Sequence, residues 1–303
     1  MNGDCQVPVL LMMNRLTYTV VWALTLILAI GQSACERVYP EPPQTYTPAN
    51  AQELRNYFDN LRYDLQWLEK GVPRLAVTDL PDDFTLIKDV RERKRLFVMT
   101  LLPLVLMTNE EILAERRRAE RLLAEYQHRG TLEKKDQDWL QALAKRYRLG
   151  DAKPGDGAFR KRLLRSVDSL PVSLALAQAA NESGWGTSRF ALEGNNLFGE
   201  WTFIKGAGLV PRERAPGARH EVRLFPNLHE SLRSYMLNLN SHRAYAKLRQ
   251  KREQFRRKGE HPDGPSLATG LKAYSERGDD YIRDIERMIR ENRFTLFADA
   301  ELR

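Results

Sequence analysis

The chain has 303 residues, 42% of them hydrophobic, which is enough for one large or two modest domains with a packed core. Its formal net charge of +8 favours a polyanionic partner, such as nucleic acid, anionic lipid or a carboxylate-rich cell wall, without choosing among them. The two cysteines, Cys5 and Cys35, both lie near the N-terminus, so disulfides between residues of the remaining chain are excluded.

The first predicted element is an export signal at residues 1–35. Arg15 precedes an uncharged run at 16–30, which has the length of a signal-peptide hydrophobic region and is short for a membrane span. Ser33-Ala34-Cys35 resembles a bacterial lipobox, although Gln32 departs from that pattern. We therefore expect export to the periplasm, either with a lipid anchor at Cys35 or with ordinary cleavage nearby or an uncleaved anchor.

A proline-rich tether at 36–50 and a helical region at 51–152 follow. Apolar side chains recur at helical spacing from Leu54 to Leu68, which predicts one helix that ends at Gly71. The purpose of this N-terminal region is open. It either packs on the C-terminal half as part of one core or forms a separate spacer or partner-binding module.

An apolar stretch at 95–107 predicts a buried helix, because it is too short to cross a membrane. Thr108-Asn109-Glu110-Glu111 fits a capping box, which predicts that a separate charged helix begins there. That helix should end at Gly130, and apolar residues at 139–147 indicate another helix. The polar breaker segment 153–157 is the predicted domain boundary, with a second domain at 155–300.

An apolar, alanine-rich helix is predicted from Ser169 to about Asn181, with Ser169 as the N-cap and Pro171 in the first turn. Gly184 should end it in the left-handed conformation. Glu182 then lies at the negative end of the helix dipole beside Trp185, and both features disfavour a charged carboxylate. A protonated carboxylic acid there is suited to act as the general acid of glycoside hydrolysis.

The remaining elements are a loop or hairpin between Phe198 and Phe225, a helix capped by Asn227, a strongly basic segment at 247–258, and a last amphipathic helix near 281–289. The basic segment is more typical of a solvated helix face than of a binding patch.

Three segments in this half carry spaced motifs, which consist of Ala179, Glu182, Ser183, Trp185, Gly186, Ser188, Ala191, Asn195, Asn196, Phe198, Gly199, Phe225, Glu230, Ser231, Tyr235, Tyr274, Asp279, Tyr281 and Ile285. Taken in order, these motifs resemble the glucosaminidase domain of glycoside hydrolase family 73, and the resemblance covers roughly residues 160 to 297. Leu209-Val210-Pro211 and His220-Glu221-Val222 are most similar to the Bax-type proteins, which are related to the flagellar glucosaminidases.

The resemblance implies a mainly α (α+β), lysozyme-like catalytic domain that cuts the N-acetylglucosaminyl bond of peptidoglycan with Glu182 as the acid. Such hydrolysis needs a second carboxylate or a substitute. The family carries a second Glu some forty residues after the first, which favours Glu221 as the catalytic base. Glu213, Glu200 and the acetamido group of the substrate remain alternatives.

The resemblance also implies roles for other side chains. Tyr274 would lie near the catalytic acid and orient a water or the acetamido group, unless it is a core tyrosine. Aromatic faces suit sugar rings, so a substrate groove is expected to be lined by Trp185, Phe198 and Trp201, with Asn195 and Asn196 as further binding residues. For Trp185 and Phe198, ordinary core packing is at least an equal alternative.

No metal or cofactor is expected, since the five histidines lack ligand spacing and no phosphate-cradling glycine loop occurs. The expected partners are peptidoglycan strands and, through the N-terminal segment, a membrane. A non-catalytic wall scaffold that kept the fold is the alternative function. A nucleic-acid binder is opposed by the export signal and by the lack of a recognised module.

Overall fold

The fold is mainly α in the computed structural model, which describes residues 41–212, 214 and 217–303. The predicted export signal with Cys35, the first five residues of the tether (36–40), and Glu213 lie outside the described residues. The α-helices, numbered in chain order within this part of the chain, are α1 (Ala51–Asn60), α2 (Val90–Arg129), α3 (Lys134–Arg146), α4 (Gly157–Ser166), α5 (Val172–Ser183), α6 (Arg189–Gly194), α7 (Leu228–Ser241), α8 (Ala246–Lys258), α9 (Gly264–Ala268) and α10 (Asp279–Glu291). Short 3₁₀ helices lie at Leu65–Lys70, Asp82–Leu86, Arg243–Tyr245 and Phe294–Phe297.

Two small sheets accompany the helices. Strands β1 (Gln44–Tyr46) and β2 (Leu75–Val77) pair in parallel. Strands β3 (Trp201–Thr202) and β4 (Gly208–Leu209) both pair antiparallel with the central β5 (Glu221–Arg223), so the order is β3-β5-β4. The predicted loop or hairpin between Phe198 and Phe225 is thus a short three-stranded sheet.

Helix α2 runs unbroken for 40 residues, so the predicted helix start at Thr108 is wrong. The Thr108 hydroxyl donates to the Leu104 carbonyl at 2.8 Å, one turn back, and therefore stays inside the helix. Pro103 is also enclosed within α2. The prediction of a buried helix at 95–107 is confirmed: α2 is long and apolar enough to cross a membrane, yet 72% of its apolar window is buried within the protein.

The predicted helix from Leu54 to Leu68 is two elements. Helix α1 ends at Asn60, and Arg62 adopts a left-handed φ of 49°. The Asp64 carboxylate then accepts the Gln66 N–H at 2.9 Å and starts a 3₁₀ helix, and it also pairs with Arg95 on α2 at 2.5 Å. A tertiary ion pair therefore fixes a turn that apolar spacing alone does not indicate.

Three other helix boundaries follow local chemistry as predicted, at Gly130, Gly184 and Asn227. Gly130 and Gly184 end α2 and α5 with left-handed φ values of 73° and 58°. The Asn227 side chain accepts the Glu230 N–H at 2.9 Å and caps α7. The predicted N-cap Ser169 is wrong, because α5 begins at Val172 after Pro171.

Helix α5 lies in the middle of the core and carries Glu182 at its C-terminal end. Its residues from Val172 to Ala180 are all buried. It packs against α2, α9, α10 and the 3₁₀ helix at Phe294–Phe297. One continuous hydrophobic cluster runs from Leu54 to Phe297, so residues of the N-terminal region help to position this helix.

A buried ion pair fixes the segment just before α5. Arg252 on α8 is fully buried, and Asp168 is 2% exposed. Burial favours a raised pKa for Asp168, but the guanidinium groups of Arg252, Arg256 and Arg116 outweigh it and hold the pKa of that carboxyl below its ordinary value. The charge of Asp168 therefore contributes to folding.

Asp168→Asn is expected to lower the free energy of unfolding by about 3 kcal/mol at pH 7, because the surrounding guanidinium groups lose their buried counter-charge. The native pKa is lowered, so this contribution is present above about pH 4 and is lost as the pH falls through the native pKa. Urea unfolding of the wild type and of Asp168→Asn between pH 7 and pH 3 measures the difference in the free energy of unfolding. If that difference stays constant or grows as the pH falls, the charge of Asp168 does not stabilise the fold.

Candidate active site

Glu182 lies in the last turn of α5, and its carboxylate is held from two sides. The Tyr281 hydroxyl on α10 donates to Glu182 Oε1 at 2.8 Å, and Asn181 Nδ2 donates to the same oxygen at 3.2 Å. Glu182 is only half-buried. Its carboxylate is therefore oriented by the fold while still open to a ligand.

A chain of buried hydrogen bonds leads from the core to Glu182. The Tyr235 hydroxyl donates to Gln178 Oε1 at 2.7 Å, and Gln178 Nε2 donates to the Tyr281 hydroxyl at 2.8 Å. Gln178, Tyr235 and Tyr281 are each at most 2% exposed. Since every donor in this chain points toward Glu182, the network fixes both the position of Tyr281 and the direction of its O–H bond.

The sequence analysis did not predict this series of hydrogen bonds. Tyr235 and Tyr281 match the family motifs, but the sequence analysis assigns neither of them a role beside Glu182. The available signal was Gln178, a polar residue inside an apolar helix and four positions before Glu182, so on the same face of α5.

The turn after Glu182 has an unusual backbone. Gly184, Trp185 and Gly186 all have left-handed φ values, 58°, 61° and 78°. The Ser183 hydroxyl donates to the Ala179 carbonyl at 2.6 Å and accepts the Gly186 N–H at 2.9 Å. A Cβ on Gly186 would lie 2.5 Å from the Leu80 side chain, so only glycine fits there.

The predicted substrate-binding aromatic residues occupy different environments. Trp185 packs edge-on against Phe97 with centroids 5.8 Å apart, and Lys94 Nζ lies 4.3 Å above its ring. Phe198 is buried and stacks on Tyr235 at 3.8 Å. Packing contacts thus account for the positions of Trp185 and Phe198.

Trp201 differs, because it is 60% exposed at the start of β3. Its ring stacks on His220 at 4.2 Å. It is the predicted aromatic residue whose ring is most available to a sugar.

Asn195 and Asn196 shape the loop before β3. Asn195 ends α6 with a left-handed φ of 53° and donates to Asp79 Oδ1 at 2.6 Å. Asn196 accepts the Glu200 N–H at 3.0 Å and donates to the Glu200 carbonyl at 2.9 Å and the Arg223 carbonyl at 2.8 Å. Their side-chain contacts therefore position Glu200 and the small sheet.

Tyr274 lies beside the catalytic candidate. It is half-buried and stacks on Tyr281 with centroids 5.3 Å apart. Burial raises the pKa of Tyr274 well above its ordinary value, and the neighbouring Tyr281 and Glu182 add to this rise. The hydroxyl thus stays protonated and lies within electrostatic reach of Glu182.

Glu221 on β5 stabilises the three-stranded sheet. It is 5% exposed, and its carboxylate accepts the Gly206 N–H at 3.0 Å and the Gly208 N–H at 2.9 Å. A Cβ on Gly208 would come within 2.4 Å of the Val222 carbonyl oxygen, so this close approach depends on glycine.

Glu200 is a second acidic group near the site. Its Oε2 accepts the Ser234 hydroxyl at 2.7 Å and lies 3.6 Å from Arg223, while its Oε1 is buried and makes no hydrogen bond with the described residues. Burial raises the pKa of Glu200. Burial also raises the pKa of Tyr245, a hydrogen bond with Asn238 opposes this, and the charges of Glu200 and Glu182 add to the rise.

Within the described ranges, no group of three or more His, Cys, Asp or Glu side chains is placed to hold a metal ion.

Comparison with known proteins identifies the segment that carries this site. The Glucosaminidase family, described as mannosyl-glycoprotein endo-beta-N-acetylglucosaminidase, matches residues 159–294. Protein bax of Escherichia coli (strain K12) is 34% identical over 210 residues, which cover 68% of this chain and 72% of that protein. No solved structure matches.

Proposed function

The chain belongs to the Bax-type glucosaminidase family of glycoside hydrolases, and from this we propose that it cleaves the N-acetylglucosaminyl β-1,4 bond of peptidoglycan. The observation that supports this proposal best is the half-buried carboxyl of Glu182, oriented by Tyr281 within the matched segment. A carboxyl held in one orientation but open to ligand suits proton transfer to a leaving oxygen.

In the proposed mechanism Glu182 is the general acid. Among the described residues, Asn181 and Tyr281 both donate to its Oε1, so we assign the transferred proton to Oε2. Proton transfer to the glycosidic oxygen breaks its bond to the anomeric carbon as an oxocarbenium-like centre develops. Either a water activated by a second carboxylate or the acetamido oxygen of the substrate then attacks that carbon.

Digestion of purified sacculi tests the proposed activity. The products are reduced with borohydride and analysed by mass spectrometry, and the new reducing ends are expected to be N-acetylglucosamine. Release of N-acetylmuramic acid ends would contradict the bond assignment. Binding to sacculi without release of fragments would favour the alternative, a non-catalytic wall-binding protein that kept the fold. A high-mannose glycoprotein is the comparison substrate, because the family description names that activity.

Glu221 is the proposed general base. In the structure its carboxylate accepts the N–H groups of Gly206 and Gly208. The role of a base therefore requires the small sheet to close on the substrate and to free one carboxylate oxygen for a water. Glu221→Gln is then expected to lower turnover about 10²-fold or more, with rescue by azide and an inverted product. Retention of configuration with a mild effect would instead indicate attack by the acetamido group, and a lowered melting temperature alone would indicate a structural role.

Tyr281→Phe is expected to lower kcat about tenfold or more, because Glu182 loses the hydrogen bond that orients it. Tyr274→Phe, if its hydroxyl orients the reacting groups as proposed, lowers turnover more than stability. Steady-state kinetics and thermal melts on the two variants measure both effects. Full activity with a lowered melting temperature in either variant would assign that tyrosine to the core.

We also propose that the enzyme acts outside the cytoplasm, where its substrate lies. This proposal rests on the export signal at 1–35 and on the Bax-type relationship. Lipidation of Cys35, and with it membrane attachment, remains a prediction.

A further inference from the structure

Two strongly basic helices, α4 and α8, pack side by side. Together they carry eleven Lys and Arg side chains and one carboxylate, that of Glu253. Their formal charge is therefore +10, whereas the whole chain carries +8, so the remaining residues sum to −2. The basic segment at 247–258 is thus one half of a larger cationic surface, formed by α4 and α8, that we call the basic face.

Cations of both helices meet in one depression of about 280 Å³. The depression is lined by Lys161, Leu164 and Arg165 of α4, Glu253, Arg256 and Arg257 of α8, Arg116 of α2, and Asp168. Asp168 is buried, and Glu253 already pairs with Arg165 and Arg257. Two carboxylates cannot neutralise five cations, so the depression keeps a net positive charge.

Several cations of the basic face have no anionic partner. Lys161, Arg162 and Lys247 are exposed and Lys251 is half-buried, and none of the four forms a salt bridge with the described residues. Lys247 and Lys251 are one turn apart and share a side of α8. None of the large apolar side chains exposed in the described part of the chain belongs to α4 or α8. The basic face therefore offers an external partner charge and no apolar anchor.

The basic face and Glu182 lie at opposite ends of α5. Arg252 and Arg256 on α8 donate to Asp168 and Ser169, just before α5 begins, whereas Glu182 lies in its last turn. A helix of 12 residues is about 18 Å long. A partner bound to the basic face would therefore leave Glu182 open.

We propose that the basic face binds the surface of a bilayer that contains anionic phospholipids. The negative potential of such a surface attracts each Lys or Arg side chain held near it, and two adjacent helices present many of them to a flat surface at once. A glycan strand is another polyanion, but a strand over Glu182 would have to pass to the far end of α5 to reach the basic face. Binding to a bilayer turns Glu182 away from the membrane. That orientation toward the wall rests on the proposed function, whereas lipid binding does not.

Vesicle flotation tests the proposal with a chain of residues 41–303, which lie in one compact unit with a continuous hydrophobic core. This chain lacks the apolar run at 16–30 and Cys35, so neither contributes to its binding. The vesicles consist of phosphatidylcholine alone or of equal parts of phosphatidylcholine and phosphatidylglycerol.

Two variants that lose the same number of charges are compared with the wild-type chain. The basic-face variant replaces by glutamine three lysines that have no anionic partner among the described residues: Lys161, Lys247 and Lys251. The control variant replaces by glutamine three exposed lysines outside α4 and α8: Lys70, Lys88 and Lys205. Thermal melting checks that both variants fold.

The wild-type chain is expected to float with the anionic vesicles but not with the neutral ones, and about 0.5 M salt should release it. The basic-face variant should bind the anionic vesicles about 10²-fold more weakly, since each lysine near such a surface contributes about fivefold, while the control stays close to wild type. Equal binding to the two kinds of vesicle, or equal losses in the two variants, would overturn the inference.

The wild-type chain is also incubated with purified sacculi. Binding to sacculi that the basic-face variant loses, together with no binding to anionic vesicles, would assign the basic face to the wall and overturn the inference. Vesicle binding does not depend on hydrolysis. Failure of the proposed function would therefore leave this inference intact, and loss of vesicle binding would leave the proposed function intact.

Discussion

Glu182→Gln is expected to lower peptidoglycan turnover by about 10²–10⁴-fold, because an amide has no proton to transfer to the leaving oxygen. The substitution keeps the shape of the side chain and an oxygen that can accept the Tyr281 hydroxyl. The fold should therefore persist. Release of reducing ends from sacculi measures turnover, and circular dichroism with thermal melting measures folding.

Glu291→Gln is the matched control for this experiment. Glu291 is an exposed carboxylate in the last turn of α10, and its replacement is the same chemical change on the same protein. It should retain wild-type turnover. If Glu182→Gln also stays near the wild-type rate, another group supplies the proton and the assigned role is wrong.

Arg252→Met should lower the free energy of unfolding by about 3–5 kcal/mol, a large part of the roughly 5–15 kcal/mol by which folded proteins are ordinarily stable. Burial lowers the pKa of Arg252 to about 10, so it is still charged at pH 7. Its guanidinium donates to the carbonyls of Arg165, Asp168 and Ser169 and to Asn240 Oδ1. Methionine removes these four hydrogen bonds, leaves the buried Asn240 Oδ1 without its guanidinium donor and leaves Asp168 short of a counter-charge.

Arg257→Met removes a guanidinium from the same helix and is the control. Its side chain is 61% exposed and pairs with Glu253 at 2.7 Å. An exposed pair of this kind contributes at most about 1 kcal/mol. Urea unfolding of both variants measures how much each substitution lowers the free energy of unfolding. Comparable losses in the two variants would show that the stabilising effect of Arg252 does not depend on its burial.

The sequence analysis correctly predicted features that depend on residues close together in the chain. Gly130 and Gly184 end their helices because glycine adopts the left-handed conformation at little cost, and Asn227 caps α7 because its side chain reaches the amide three residues later. The family resemblance likewise depends on short motifs and is confirmed over residues 159–294. It also led to the correct mainly α fold class.

Local sequence patterns gave wrong helix boundaries where tertiary packing favoured a different backbone conformation. Thr108 has the chemistry of a helix cap, but burial of its neighbours against α5 and α7 keeps α2 helical through Pro103 and beyond. The turn at Arg62 and Asp64 depends on Arg95, which lies far away in the chain.

The sequence by itself thus determined the ends of α2 and α5, the cap of α7, the fold class, the family and the position of Glu182 at the end of an apolar helix. Only the tertiary structure decided what orients Glu182, because Tyr281 and Tyr235 come from helices 99 and 53 residues further along the chain and meet at Gln178. The basic face likewise joins two helices that are far apart in the chain. Such contacts depend on how buried helices pack, and no periodic pattern within one segment specifies which polar groups will face each other once the core has formed.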